Sequence, residues 1–68
     1  MGFKELGLAI KARRKELRIT QPVLAELAQI SVNTLYKLER GQGNPSLAIF
    51  TRVMEVLGLE LVLQVKKP

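Results

Sequence analysis

The sequence predicts an all-α fold of four or five short helices, plus a C-terminal β-strand that pairs across a homodimer. Three observations predict it. Apolar residues recur at helical spacing in successive stretches between Phe3 and Leu57. Three of those stretches are preceded by N-cap residues, Thr20, Ser31 and Ser46, and Gly41 and Gly58 follow two of them as stop signals. From Leu59 the apolar period then changes to two, which reads as a strand. The chain thus divides into a helical domain, residues 1–58, and a dimerisation strand, residues 59–68.

Composition narrows the function classes. Sixty-eight residues allow one small domain, marginal in stability when alone. The chain has no cysteine, so there is no disulfide and no thiolate metal site. It has no histidine either, which removes His-ligated metals and Ser–His catalysis. Glu26, Glu39, Ser31 and Tyr36 form no acid/base or nucleophile set, so an enzyme is not expected and no cofactor is called for. A net charge of +5 suits a polyanionic partner, although a basic surface can also simply keep a small protein soluble. No stretch reaches the ~18 apolar residues of a membrane span, and the first residues lack a signal-peptide pattern. A cytoplasmic protein is expected.

The first helix runs from Phe3 to Leu17, with Leu6, Ile10 and Leu17 on adjoining rows. Lys11, Arg13, Arg14, Lys15 and Arg18 make its second half basic. That charge favours the helix macrodipole, and part of it can contact phosphate; Arg13 and Lys15 are expected to point outward. Ile19 should turn back into the core. From Thr20 to Gly41 the chain reads as helix, tight turn, helix. Pro22 sits in the first turn, where its missing N–H costs no intrahelical bond. Leu24, Leu27 and Ala28 form one apolar face; Leu35 and Leu38 form the next. Residues 42–45 are a loop. Leu47, Phe50, Val53 or Met54, and Leu57 then line one side of a further helix. In the tail, Leu59, Leu61, Leu63 and Val65 alternate with Val62 between them. A lone strand leaves its backbone groups unpaired, so its partner is expected to be the same strand of a second copy. The alternative is a fifth helix. Lys66, Lys67 and Pro68 should end the strand.

The stretch TQPVLAELAQISVNTLYKLERG resembles the helix-turn-helix of the lambda-repressor/Cro-like (Xre-type) DNA-binding family. The matching residues are Gln21, Leu24-Ala25, Ile30-Ser31, Thr34-Leu35 and Leu38-Glu39 with Gly41, followed by Asn44-Pro45-Ser46-Leu47. The resemblance spans roughly residues 6–57. Two departures stand out. The family usually has Gly at the turn and commonly after the first helix; here Gln29 and Arg18 take those places. Gln29 then either carries positive-φ strain of about 1 kcal/mol or belongs to an altered turn. In the family an Arg at position 14 pairs with the Glu at position 39, and an Arg fork can tie two helix ends together; the alternative is two unrelated surface charges. The tail, with its LGLELVLQV ending, is similar to the HipB-type antitoxin subgroup, whose members are dimeric operator-binding repressors that restrain a HipA-like kinase toxin.

The resemblance also implies site residues. The helix from Ser31 to Arg40 would enter the major groove of double-stranded DNA with its N-terminal end nearest the bases. The base-reading positions fall on Val32, Asn33 and Lys37. Asn33 can contact adenine, Lys37 can donate to guanine, and Val32 offers only apolar contact. Gln21 matches the family's phosphate-positioning residue, and Ser31, Tyr36, Arg40, Asn44 and Arg13 are further phosphate candidates. The expected function is therefore a DNA-binding transcriptional repressor. The competing readings are a protein-interaction module that holds a toxin or another partner and, more weakly, a basic amphipathic protein of membrane surfaces.

Overall fold

The computed structural model describes residues 2–66. It contains four helices: α1 Phe3–Glu16, α2 Gln21–Ala28, α3 Val32–Glu39 and α4 Leu47–Leu57. Local chemistry explains where they start. The side chains of Thr20, Ser31 and Ser46 accept the N–H groups of Val23, Thr34 and Ile49, each satisfying a donor that the helix itself leaves orphaned.

All four helices end in one way. Arg18, Gln29, Gly41 and Gly58 adopt left-handed backbone, with φ of 58°, 58°, 70° and 68°. The next residue then returns its N–H to a carbonyl five positions back: Ile19 to Arg14, Ile30 to Ala25, Gln42 to Lys37 and Leu59 to Met54. This is the Schellman closure, which satisfies terminal carbonyls that would otherwise lack partners. Three of the four returning residues are apolar, and Ile19, Ile30 and Leu59 pack against the core. Gln29 thus carries the positive φ; the turn is not altered to avoid it.

The core is built from Ile10 of α1, Leu24, Ala25 and Ala28 of α2, Leu35 and Leu38 of α3, and Phe50, Val53, Met54 and Leu57 of α4. Helices of 8 residues are unstable alone, so α2 and α3 exist because each buries its apolar stripe here. Three expected core residues lie outside it. Leu27 is exposed because α2 buries Leu24, Ala25 and Ala28, a stripe from which Leu27 is rotated away. Leu17 follows the last turn of α1, and Leu47 opens α4 beyond the packed region; both are exposed. The backbones of α1 and α3 come so close that a Cβ on Gly7 would collide with the carbonyl oxygens of Leu38 and Glu39.

The tail differs from the expectation. Residues 59–66 form neither helix nor strand, so among the described residues there is no fifth helix and no β-structure. The physical reason is that a single extended segment has no ladder partner within the described chain. Leu59 is half-buried against the core, Leu61 is partly covered, and Leu63 and Val65 are 90% and 96% exposed. Lys67 and Pro68, expected to end the strand, lie outside the described residues.

Candidate nucleic-acid interface

The geometry of the site begins with a buried ion pair. Arg14 Nε donates to Glu39 Oε2 at 2.7 Å and its Nη2 donates to Oε1 at 3.0 Å. Nη1 donates to the carbonyl of Ile19 at 3.0 Å. Arg14 is buried and Glu39 only 2% exposed. Gln21 Nε2 adds a third donor to Glu39 Oε1, at 3.0 Å. The end of α1, the start of α2 and the end of α3 are therefore fixed to one carboxylate. The bidentate fork satisfies the desolvation demand of that buried charge, which would be costly if left unpaired.

This clamp sets the rotation of α3. Leu35, Leu38 and Glu39 face inward, and Val32, Asn33, Tyr36, Lys37 and Arg40 face solvent. The three expected base-reading residues, Val32, Asn33 and Lys37, thus share one exposed surface of one helix. The Arg40 guanidinium carbon lies 5.2 Å from the centroid of the Tyr36 ring, so these two residues brace each other at the far end of that surface. Lys37 and Asn44 line the same shallow cleft of about 230 Å³, together with Thr34 and Gln42. The α3–α4 loop is in this way brought beside the exposed surface of α3.

Other expected contacts are arranged differently. The Ser31 hydroxyl accepts Thr34 N–H at 3.0 Å and donates to Thr34 Oγ1 at 2.8 Å, so its hydrogen is engaged within the cap. Gln21 gives one amide hydrogen to Glu39. Arg13, expected to point outward, is half-buried: its Nε donates to the carbonyl of Leu57 at 3.0 Å, and its Nη1 is 3.7 Å from Glu16. It closes the C-terminal end of α4. Arg13 and Arg14 are neighbours in sequence but serve different neighbouring helices, α4 and α3. Sequence reasoning missed Lys4, which lies with Lys11 and Arg40 around one cleft. The signal was present in the spacing of Lys4 and Lys11, two helical turns apart and flanking the close approach at Gly7.

A helix-turn-helix family model matches residues 10–64, which contain the packed α2–α3 pair and most of the body. The chain belongs to the helix-turn-helix family. Relatives within the reach of this match agree. An HTH-type transcriptional regulator of Methanothermobacter thermautotrophicus is 41% identical over 51 residues, covering 75% of this chain and 74% of the relative. The immunity repressor protein of Bacillus phage phi105 is 43% identical over 56 residues, covering 82% of this chain and 39% of the repressor. A protein of Methanococcus vannielii, classed as an HTH-type transcriptional regulatory protein, is 36% identical over 56 residues; the match covers 82% of this chain and 17% of that protein. The chain therefore spans well under half the length of the last two. None of the helices is long and apolar enough to cross a membrane, among the described residues.

Proposed function

We propose that the chain is a sequence-specific repressor of transcription that binds double-stranded DNA as a dimer and reads a palindromic operator through the major groove. The observation that carries this reading is the outward surface of α3, where Val32, Asn33 and Lys37 stand exposed on a helix fixed from behind by Arg14 and Glu39. Asn33 makes a bidentate contact to adenine and Lys37 donates to guanine, while Val32 meets a thymine methyl. Phosphate contacts from the second amide hydrogen of Gln21, and from Tyr36, Arg40 and Asn44, hold the register. Relatives named as transcriptional regulators and as an immunity repressor support the assignment.

The dimer rests on the tail. Leu61, Val62, Leu63 and Val65 are exposed apolar side chains on a segment with no backbone ladder partner among the described residues. Pairing with the same segment of a second copy supplies both the ladder and the burial. It also places two reading helices about 34 Å apart, one turn of DNA. The narrower reading, an antitoxin that restrains a HipA-like kinase, rests on the resemblance of this tail. The alternative function, a module whose main role is to hold a partner protein, is favoured by the same exposed apolar residues. Inspecting the neighbouring reading frame for a kinase and co-purifying the chain with its product tests the antitoxin reading; a neighbouring frame that encodes no kinase removes it.

Base reading is tested by selecting a preferred operator and measuring binding of Asn33→Ala and Lys37→Ala. Each variant should lose discrimination of roughly 1–3 kcal/mol at one base position. Equal loss on operator and on random duplex would remove these residues from recognition.

A further inference from the structure

We infer that Lys4 and Lys11 of α1, together with Arg40, form a second phosphate-binding edge that extends the DNA interface beyond α3 and its loop. This rests on the DNA-binding reading above and adds a part of the surface to it. The three side chains surround a shallow cleft of about 290 Å³, with Leu8 and Glu39 completing its lining. Each of the three is exposed. Glu39 does not cancel their charge, because its two carboxylate oxygens are already engaged by Arg14 and Gln21.

The cleft exists because two helices approach without side chains between them. Gly7 faces the carbonyl oxygens of Leu38 and Glu39, and a Cβ on Gly41 would meet the backbone of Lys4. Lys4 and Lys11 sit about one turn to either side of Gly7, on the helix face turned toward the end of α3. Arg40 joins the cleft to the reading surface, since its guanidinium also lies over Tyr36. The positive edge is thus continuous with the helix that meets the bases. Arg13, the residue of the basic half that charge alone would favour, is turned away to the carbonyl of Leu57. A positive edge contiguous with a groove-reading helix meets the sugar–phosphate backbone, where contacts position the protein without reading sequence.

The competing explanation is structural: lysines beside the C-terminal end of α3 complement its dipole. The test separates the two. The intact chain and a Lys4→Gln/Lys11→Gln variant are titrated with a duplex carrying the selected operator and with random duplex, over a salt series. An Arg18→Gln/Arg52→Gln variant, which loses the same charge elsewhere, is the control. Each phosphate contact contributes about 0.9 to the slope of log K against log salt. The cleft variant should lower that slope by about 1–2, on both duplexes alike and with unchanged base preference. The control should retain the slope. Thermal unfolding without DNA supplies the second readout. An unchanged slope, or an equal fall in cleft variant and control, overturns the proposal; a lowered melting temperature with unchanged slope assigns the lysines to the dipole. A wild-type chain that binds no duplex at low salt overturns the DNA-binding reading itself, and this inference with it.

Discussion

At the scale of single residues, Arg18 and Gln29 stand in left-handed backbone that Gly41 and Gly58 occupy in the equivalent closures. A Cβ in that region costs roughly 1–2 kcal/mol, and glycine avoids the cost at the expense of a more flexible unfolded chain. Both side chains are exposed. Arg18→Gly and Gln29→Gly should therefore each stabilise the fold by about 1 kcal/mol, raising the melting temperature by about 4–8 °C in a domain of this size. Thermal unfolding followed by circular dichroism measures it. A fall in melting temperature for Gln29→Gly would mean that the side chain contributes more than its backbone strain removes.

At the scale of elements, α4 is held at its C-terminal end by a side chain from α1. Arg13 Nε reaches the carbonyl of Leu57, which otherwise lies beyond the last intrahelical bond. Arg13→Ala should cost about 1 kcal/mol of stability, the usual worth of one hydrogen bond, and should leave the salt dependence of DNA binding unchanged. A lower salt slope with unchanged stability would return Arg13 to phosphate contact. The helix boundaries around Ser46 and Gly58 were legible in the sequence because cap chemistry is local. The Arg14–Glu39 pair was legible through resemblance, and its three donors then followed from the structure. The orientation of Arg13 was not, because roughly 100° of helical rotation separates it from Arg14 and only the position of α4 decides between them. Leu27 failed for a related reason: periodicity marks a stripe, and the neighbours select which edge of the stripe is covered. The exposed face of α3 was legible because Leu35 and Leu38 fix the inward side unambiguously.

At the scale of the whole molecule, four helices close one small core and leave Val62, Leu63 and Val65 of the tail exposed beyond it. That ending was the least legible part, since its period-two apolar pattern marks a strand while nothing among the described residues pairs with it. Removing residues 59–68 should give a monomer with operator affinity largely lost, or a protein that unfolds readily, as the small core suggests. Sedimentation equilibrium of intact and truncated chains measures it. An intact chain that stays monomeric at high micromolar concentration would remove the paired-tail dimer. The clamp behind α3 has a different kind of consequence. Leu35, Leu38 and Glu39 hold the helix, while Val32, Asn33 and Lys37 stand clear of the core. Substitutions at such exposed positions usually alter stability by less than about 0.5 kcal/mol. On the proposed reading, folding and address are therefore written in separate letters of the same short helix. The address can be rewritten over generations, or by an engineer, while the scaffold beneath it is inherited intact.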